Sequence, residues 1–137
     1  MAIRYEKDYL MRLMQNFFLA LDRIVNARRN QEYEQVYSEL EVTFMAFFER
    51  NLAFFEAMTP EEIVAFFKDD PYPTEKVEMV AMLLFEAGVV APEPEVQRRR
   101  LTTVNTLIEH ISGIRRSVSL DHMARQQYIR RQLGGEE

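Results

Sequence analysis

The chain has 137 residues, with no cysteine, no tryptophan, four glycines and two histidines against ten phenylalanines and eight methionines. Without cysteine, a disulfide framework, thiol catalysis and cysteine-ligated metal centres are excluded. The glycines at 88, 113, 134 and 135 cannot form a glycine-rich phosphate loop. The length fits a single domain, residues 1–137, and the lack of cysteine is compatible with a cytoplasmic location.

Charge is segregated along the chain, whose net charge is −5. Residues 1–29 carry six basic and three acidic side chains, residues 30–96 carry three basic and fifteen acidic, and residues 97–137 carry eight basic and four acidic. An acidic middle between two basic ends can attract itself, within one molecule or between two, and salt weakens such attraction. The longest apolar runs, such as residues 79–85, are far shorter than the about 20 residues of a membrane span.

Two long helices are predicted at the N-terminus. In the first, roughly 4–29, apolar residues recur at the i, i+3, i+4, i+7 spacing of a helix face, and Met11, Phe18 and Val25 add a second stripe. The second, roughly 31–57, contains the Phe-Phe pairs 47–48 and 54–55. Seven residues are close to two helical turns, so we expect both pairs to point the same way.

Capping signals and apolar spacing predict four shorter helices, over residues 60–68, 75–87, 95–112 and 120–133. Thr59-Pro60-Glu61-Glu62 has the pattern of an N-cap, a proline at the first helical position and a capping-box glutamate. The other expected boundary residues are the N-caps Thr74 and Ser119 and the C-terminal glycines Gly88 and Gly113.

The predicted fold is therefore all-α, because no segment shows the alternation of a half-buried strand. We expect five to six helices: two long N-terminal ones, then short antiparallel pairs, arranged as a helical bundle or a tetratricopeptide-like array. A single domain would hold them all.

No catalytic, cofactor-binding or metal-binding constellation is evident. His110 and His122 lack the Glu-x-x-His or His-x-x-x-His spacing of helical metal sites, so we expect them at the surface or the edge of the core. The serines lack the glycines of a nucleophile elbow, and the acidic residues are typical of a solvated face. The sequence favours a protein that is not an enzyme and needs no cofactor.

Aromatic and basic clusters supply the remaining candidates. Neighbouring residues on a helix lie about 100° apart, so the two rings of a Phe-Phe pair cannot both lie on one narrow stripe of the helix. The paired phenylalanines can form a core, an interface between subunits or an apolar cavity. The candidate interface residues are Met11, Phe18, Val25, Phe47, Phe48, Phe54 and Phe55. The candidate contacts to an anion or an acidic partner are Arg98, Arg99, Arg100, Arg115 and Arg116; since the chain is acidic overall, we expect them to meet its own acidic middle, in cis or in a dimer, rather than nucleic acid.

The opening stretch Tyr5–Leu13, YEKDYLMRL, resembles the start of an uncharacterised bacterial helical family, a domain of unknown function common in Firmicutes. The stretch Lys76–Gly88, KVEMVAMLLFEAG, has a similar character. The resemblance implies helix pairs like tetratricopeptide hairpins, and it implies no catalytic residue and no established activity.

These observations lead to one functional hypothesis and its alternatives. We expect a non-enzymatic cytoplasmic protein that works by protein–protein contact, as a homodimer or with another protein, through its Phe/Met-rich helices. The alternative is a module that binds a hydrophobic ligand or a membrane surface, because basic residues accompany the apolar ones in the first helix. Nucleic-acid binding ranks below both.

Overall fold

The computed structural model describes residues 2–134, with side chains from residue 6 onward. Helices account for 81% of it and no strand occurs in the described part, which confirms the all-α class. Seven helices form over this range, where the sequence predicted five to six. They are α1 (Ala2–Arg29), α2 (Tyr33–Phe48), α3 (Leu52–Glu56), α4 (Pro60–Phe66), α5 (Pro73–Val89), α6 (Pro94–Arg115) and α7 (Leu120–Gln132).

The chain divides into two compact units, residues 1–52 and 53–137; that they form one domain stays a prediction. In the first unit, α1 and α2 pack as a helical hairpin whose turn contains Gln31 in the left-handed region, at φ 60°. Each helix buries one stripe of large side chains, which includes Phe17, Ile24, Leu40 and Phe44. The ring of Phe17 meets that of Phe47 edge to face, with centroids 5.5 Å apart.

Helix α1 is much longer than the helix it packs against. It has 28 residues and α2 has 16, which at 1.5 Å per residue is about 42 Å against about 24 Å. The buried residues of α1 begin only at Phe17, and every side chain from 6 to 16 is exposed or half-buried. The apolar residues in the described N-terminal part of α1 are therefore at most half-buried.

The Phe-rich segment is two helices, not the single predicted helix over 31–57. Helix α2 stops at Phe48 because Glu49 takes a left-handed conformation, φ 56°, and its N–H donates to the Met45 carbonyl at 3.0 Å. The N–H of Leu52, at the start of α3, then donates to Glu41 Oε1 at 3.3 Å. The pairs 47–48 and 54–55 lie on separate helices, so no common direction follows from their spacing.

In the second unit, α5 is the central element. Ten consecutive residues, Met79 to Gly88, are buried, as expected of a helix covered on several sides. Helix α6 packs along α5, α4 packs on both, and α7 packs on α6. Helix α7 buries only His122 and Ile129.

Two of the predicted N-caps are confirmed and one is wrong. Thr59 forms the complete capping box with Glu62, its hydroxyl accepting from the Glu62 N–H at 3.1 Å and its N–H donating to Glu62 Oε1 at 2.9 Å. The Ser119 hydroxyl accepts from the His122 N–H at 3.0 Å. Thr74 lies inside α5, which begins at Pro73 after the cap residue Tyr72, because proline at the first helical position needs no N–H partner.

Neither glycine predicted to end a helix does so. Gly88 is buried within α5, and a Cβ built there would lie 2.6 Å from Leu101 Cδ2, so this glycine permits the close approach of α6. Gly113 lies inside α6, which continues to Arg115 and ends with Arg116 in the left-handed region at φ 57°.

The two glycines should respond in opposite directions to alanine. We expect Gly88→Ala to lower the free energy of unfolding by about 1–2 kcal/mol, because overpacking costs about 1–3 kcal/mol and the better helix propensity offsets only part of it. Gly113→Ala, whose Cβ meets nothing within 4 Å, should raise it by about 0.5–1 kcal/mol. Urea unfolding followed by circular dichroism measures both; equal effects would contradict the close-approach explanation.

Candidate functional site

The predicted interface residues fall into three groups. Met11 and Phe18 are 56% and 44% exposed, whereas Val25, Phe47 and Phe54 are half-buried. Phe48 and Phe55 are buried, Phe55 completely. Two of the seven candidates are therefore core residues in this chain, and the exposed ones are Met11 and Phe18, which form the exposed stripe of α1.

Three of the predicted arginines already meet carboxylates of the acidic middle. The Arg100 guanidinium donates to Glu56 Oε2 and, at 2.7 Å, to the Ala87 carbonyl, while Arg99 lies 3.9 Å from the same carboxylate. Arg115 donates to Glu78 at 2.9 Å and lies 3.9 Å from Glu75. Arg98 and Arg116 are exposed. The attraction between the acidic middle and the basic C-terminal part thus operates within the chain.

A polar cluster ties the ends of three helices in the second unit. Glu78 on α5 accepts from Arg115 at the end of α6, and its second oxygen lies 2.7 Å from Nε2 of His122 on α7. Burial on its own would raise the pKa of Glu78, but the hydrogen bonds from His122 and Arg115 and the Arg115 charge outweigh it, so the pKa lies below its ordinary value. Glu78 is therefore ionised in the folded chain at neutral pH.

The neighbours of His122 fix its tautomer. Arg125 NH1 lies 2.9 Å from Nδ1, and a guanidinium can only donate, so Nδ1 accepts. The ring proton is then on Nε2 and is donated to Glu78. The ring is 3% exposed, and both nitrogens are engaged, which leaves neither a lone pair nor a proton for a substrate. His122 is buried, contrary to the expectation of a surface or edge position.

Arg125 is the fourth member of the polar cluster, which it joins through His122. Burial lowers its pKa, and the carboxylates of Asp121, Glu86 and Glu78 act in the opposite direction. Its guanidinium carbon lies 5.8 Å from the centroid of the Phe85 ring, close enough for a cation–π contact, and that ring meets Tyr128 edge to face at 5.6 Å. The arginine thus links the polar cluster to an aromatic pair.

The structure also contains grooves beside α6. One of about 300 Å³ is mostly apolar and lies between α4 and α6, with Pro60, Val64, Leu107 and His110 in its wall. Another of about 490 Å³ lies between α6 and α7 and is lined by polar side chains such as Asn105 and Gln126, which hydrogen-bond to each other at 3.1 Å. His110 is half-buried, in keeping with the predicted core-edge position.

Over the described residues, no cluster of three or more His, Asp or Glu side chains has the arrangement of a metal site. In the same range, no helix has both the length and the apolar character needed to cross a membrane. No protein-family model, curated protein or solved structure matches this chain.

Proposed function

We propose that this chain is a non-enzymatic interaction protein that self-associates through the exposed stripe of α1. One observation carries the proposal: Met11 and Phe18 are exposed, and Met11 lies in the stretch 6–16 of the helix, where no side chain is buried. Aromatic residues and methionine are enriched in protein interfaces, and large exposed apolar side chains grouped on one face mark contact surfaces.

The position of Phe18 separates this stripe from the core of the first unit. Its neighbour Phe17 is fully buried, and the two rings meet edge to face at 5.8 Å. Since adjacent residues point about 100° apart, the core takes one ring and leaves the other facing outward. A second helix laid on the stripe would cover Phe18 without disturbing Phe17.

The polar cluster supports a non-catalytic role. Glu78, His122 and Arg115 use their polar atoms on one another, and general acid–base catalysis needs a group within hydrogen-bond reach of a substrate. We infer that the cluster fastens α7 and α6 to α5. The other carboxylates are dispersed and several of them form ion pairs, which also supports a non-catalytic role.

Further parts of the proposal rest on the sequence. A cytoplasmic location is in keeping with the lack of cysteine. Membership of the bacterial helical family stays a prediction, and so do tetratricopeptide-like pairs, with which the packing of α5 on α6 and of α6 on α7 is compatible.

A module for a hydrophobic ligand or a membrane surface is the second candidate. The apolar groove beside His110 favours the ligand, and the basic residues of α1 favour an anionic surface. Flotation with anionic vesicles tests the membrane version, which requires that the protein float with the vesicles and that Phe18→Glu prevent it.

Phe18→Glu should abolish or strongly weaken self-association, because it places a charge in the middle of the apolar stripe. Leu19→Glu is the matched control: Leu19 is 60% exposed on the same helix but points about 100° away from Phe18. We expect at least a tenfold rise in the dimer dissociation constant for the first variant and little change for the second. Sedimentation velocity across a micromolar concentration series measures both, and a wild-type chain that stays monomeric at every concentration and salt level refutes the proposal.

A further inference from the structure

The exposed stripe of α1 has a symmetric spacing. Lys7, Met11, Phe18 and Asp22 are all exposed, and they follow one another at intervals of four, seven and four residues. At 100° per residue, the four positions fall within about 60° around the helix axis. A two-fold axis between residues 14 and 15 therefore exchanges Met11 with Phe18 and Lys7 with Asp22.

We propose that the occupant of this stripe is a second copy of the chain, with the two α1 helices antiparallel about that axis. The inference rests on the proposed self-association and adds its orientation and register. Each Met11 then packs on the partner's Phe18, and each Lys7 stands level with the partner's Asp22. A closed two-fold dimer requires such a self-complementary surface.

Charge selects this arrangement over the parallel one. In the antiparallel register, two Lys–Asp pairs flank the apolar contacts, about 11 Å on either side of the axis at 1.5 Å per residue. In a parallel register, Lys7 would face Lys7 and Asp22 would face Asp22, which is repulsive. Exposed ion pairs add little affinity, so the apolar pairs hold the dimer and the charges set its direction.

Site-directed cross-linking tests the register, because the native chain has no cysteine and every thiol is an introduced one. Lys7→Cys and Asp22→Cys proteins, one carrying a mass tag, are mixed, allowed to exchange subunits and treated with a short bismaleimide. We expect the mixture to give the cross-linked heterodimer, neither variant alone to cross-link, and a mixture of Lys7→Cys with Leu19→Cys to give at least tenfold less product.

Charge reversal supplies the second measurement. Lys7→Asp and Asp22→Lys should each raise the dimer dissociation constant about tenfold, since each turns two attractions into repulsions. The double variant restores both attractions in the antiparallel register and should return to the wild-type value. In a parallel dimer, the double variant would associate no more tightly than the wild type, and the single variants would associate no more weakly.

The outcomes separate the two proposals. A dimer in which Lys7→Cys or Asp22→Cys cross-links with itself, or in which no variant cross-links, overturns the antiparallel register and leaves self-association standing. A wild-type chain that is monomeric at every concentration and salt level overturns both the antiparallel register and self-association. Circular dichroism of each variant checks that the helices form, which we expect because all three altered side chains are exposed.

Discussion

Truncating Glu78 to alanine is expected to lower the free energy of unfolding of the second unit by about 3 kcal/mol. The change leaves His122 buried with its Nε2 proton unpaired, and it removes the carboxylate that holds Arg115. Removing one partner of a buried charged network is more destabilising than replacing the whole network with apolar residues. The remaining groups stay buried, away from water, and no longer have a partner. Urea unfolding at neutral pH measures the loss.

Glu75→Ala is the matched control for this change. Glu75 lies on the same helix and faces the same arginine, but at 3.9 Å and with its side chain 30% exposed, against 14% for Glu78. Exposed ion pairs contribute about 0–1 kcal/mol, so this variant should stay close to the wild type. Similar losses in both variants would show that simple surface charge, and not the buried cluster, accounts for the effect.

The wild type and Glu78→Ala should also differ in how their stability depends on pH. The pKa of Glu78 is lowered from its ordinary value of 4.5, so the folded chain holds the proton less tightly than the unfolded one. The stabilisation is therefore complete well above pH 4.5 and declines as pH falls through that value towards the folded pKa. The stability difference between wild type and Glu78→Ala should narrow with acidification; a difference that is constant or grows would contradict the assignment.

Replacing Phe55 with alanine should lower the free energy of unfolding by about 3–5 kcal/mol. The ring is completely buried and stacks on Phe67 at 6.0 Å with an interplanar angle of 11°. It also meets the rings of Phe54 and Phe66 edge to face, at 5.1 and 5.7 Å. Aromatic pairs add about 0.5–1.5 kcal/mol beyond area burial, so the alanine leaves a large cavity and breaks several ring contacts.

Phe66→Ala is the comparison within the same aromatic cluster. Phe66 is 38% exposed, so water can occupy part of the space that its ring leaves, and we expect a loss of about 1 kcal/mol. Urea unfolding followed by circular dichroism measures both losses. An equal loss for Phe55 and Phe66 would contradict the assignment of Phe55 to the core.

Local signals predicted the helices well and their ends unevenly. The capping box at Thr59 and the serine cap of α7 are encoded within four residues, so they could be recognised in the sequence. The end of α2 could not, because the left-handed residue there is Glu49 and not the glycine that usually marks such an end. Gly88 was misassigned because its role depends on Leu101, which only the packed helices bring near.

The polar cluster was not predictable from local spacing. Glu78 and His122 are 44 positions apart, and the histidine lacks the i, i+3 or i, i+4 partner that identifies a helical site. The one local sign was the serine three residues before it, which fixes the start of α7 and with it the place of the ring. The exposed stripe of α1, by contrast, follows from helical periodicity, and the structure added that the core leaves it uncovered.

The sparse burial of α7 bears on how the second unit comes apart. This helix contributes only His122 and Ile129 to the interior, whereas α5 contributes nearly every residue of its second half. Segments with few buried contacts open at lower free energy than the rest of a domain. We therefore expect α7 to open at lower free energy than α5, and we expect the Glu78–His122 hydrogen bond, which joins the two helices, to oppose that opening.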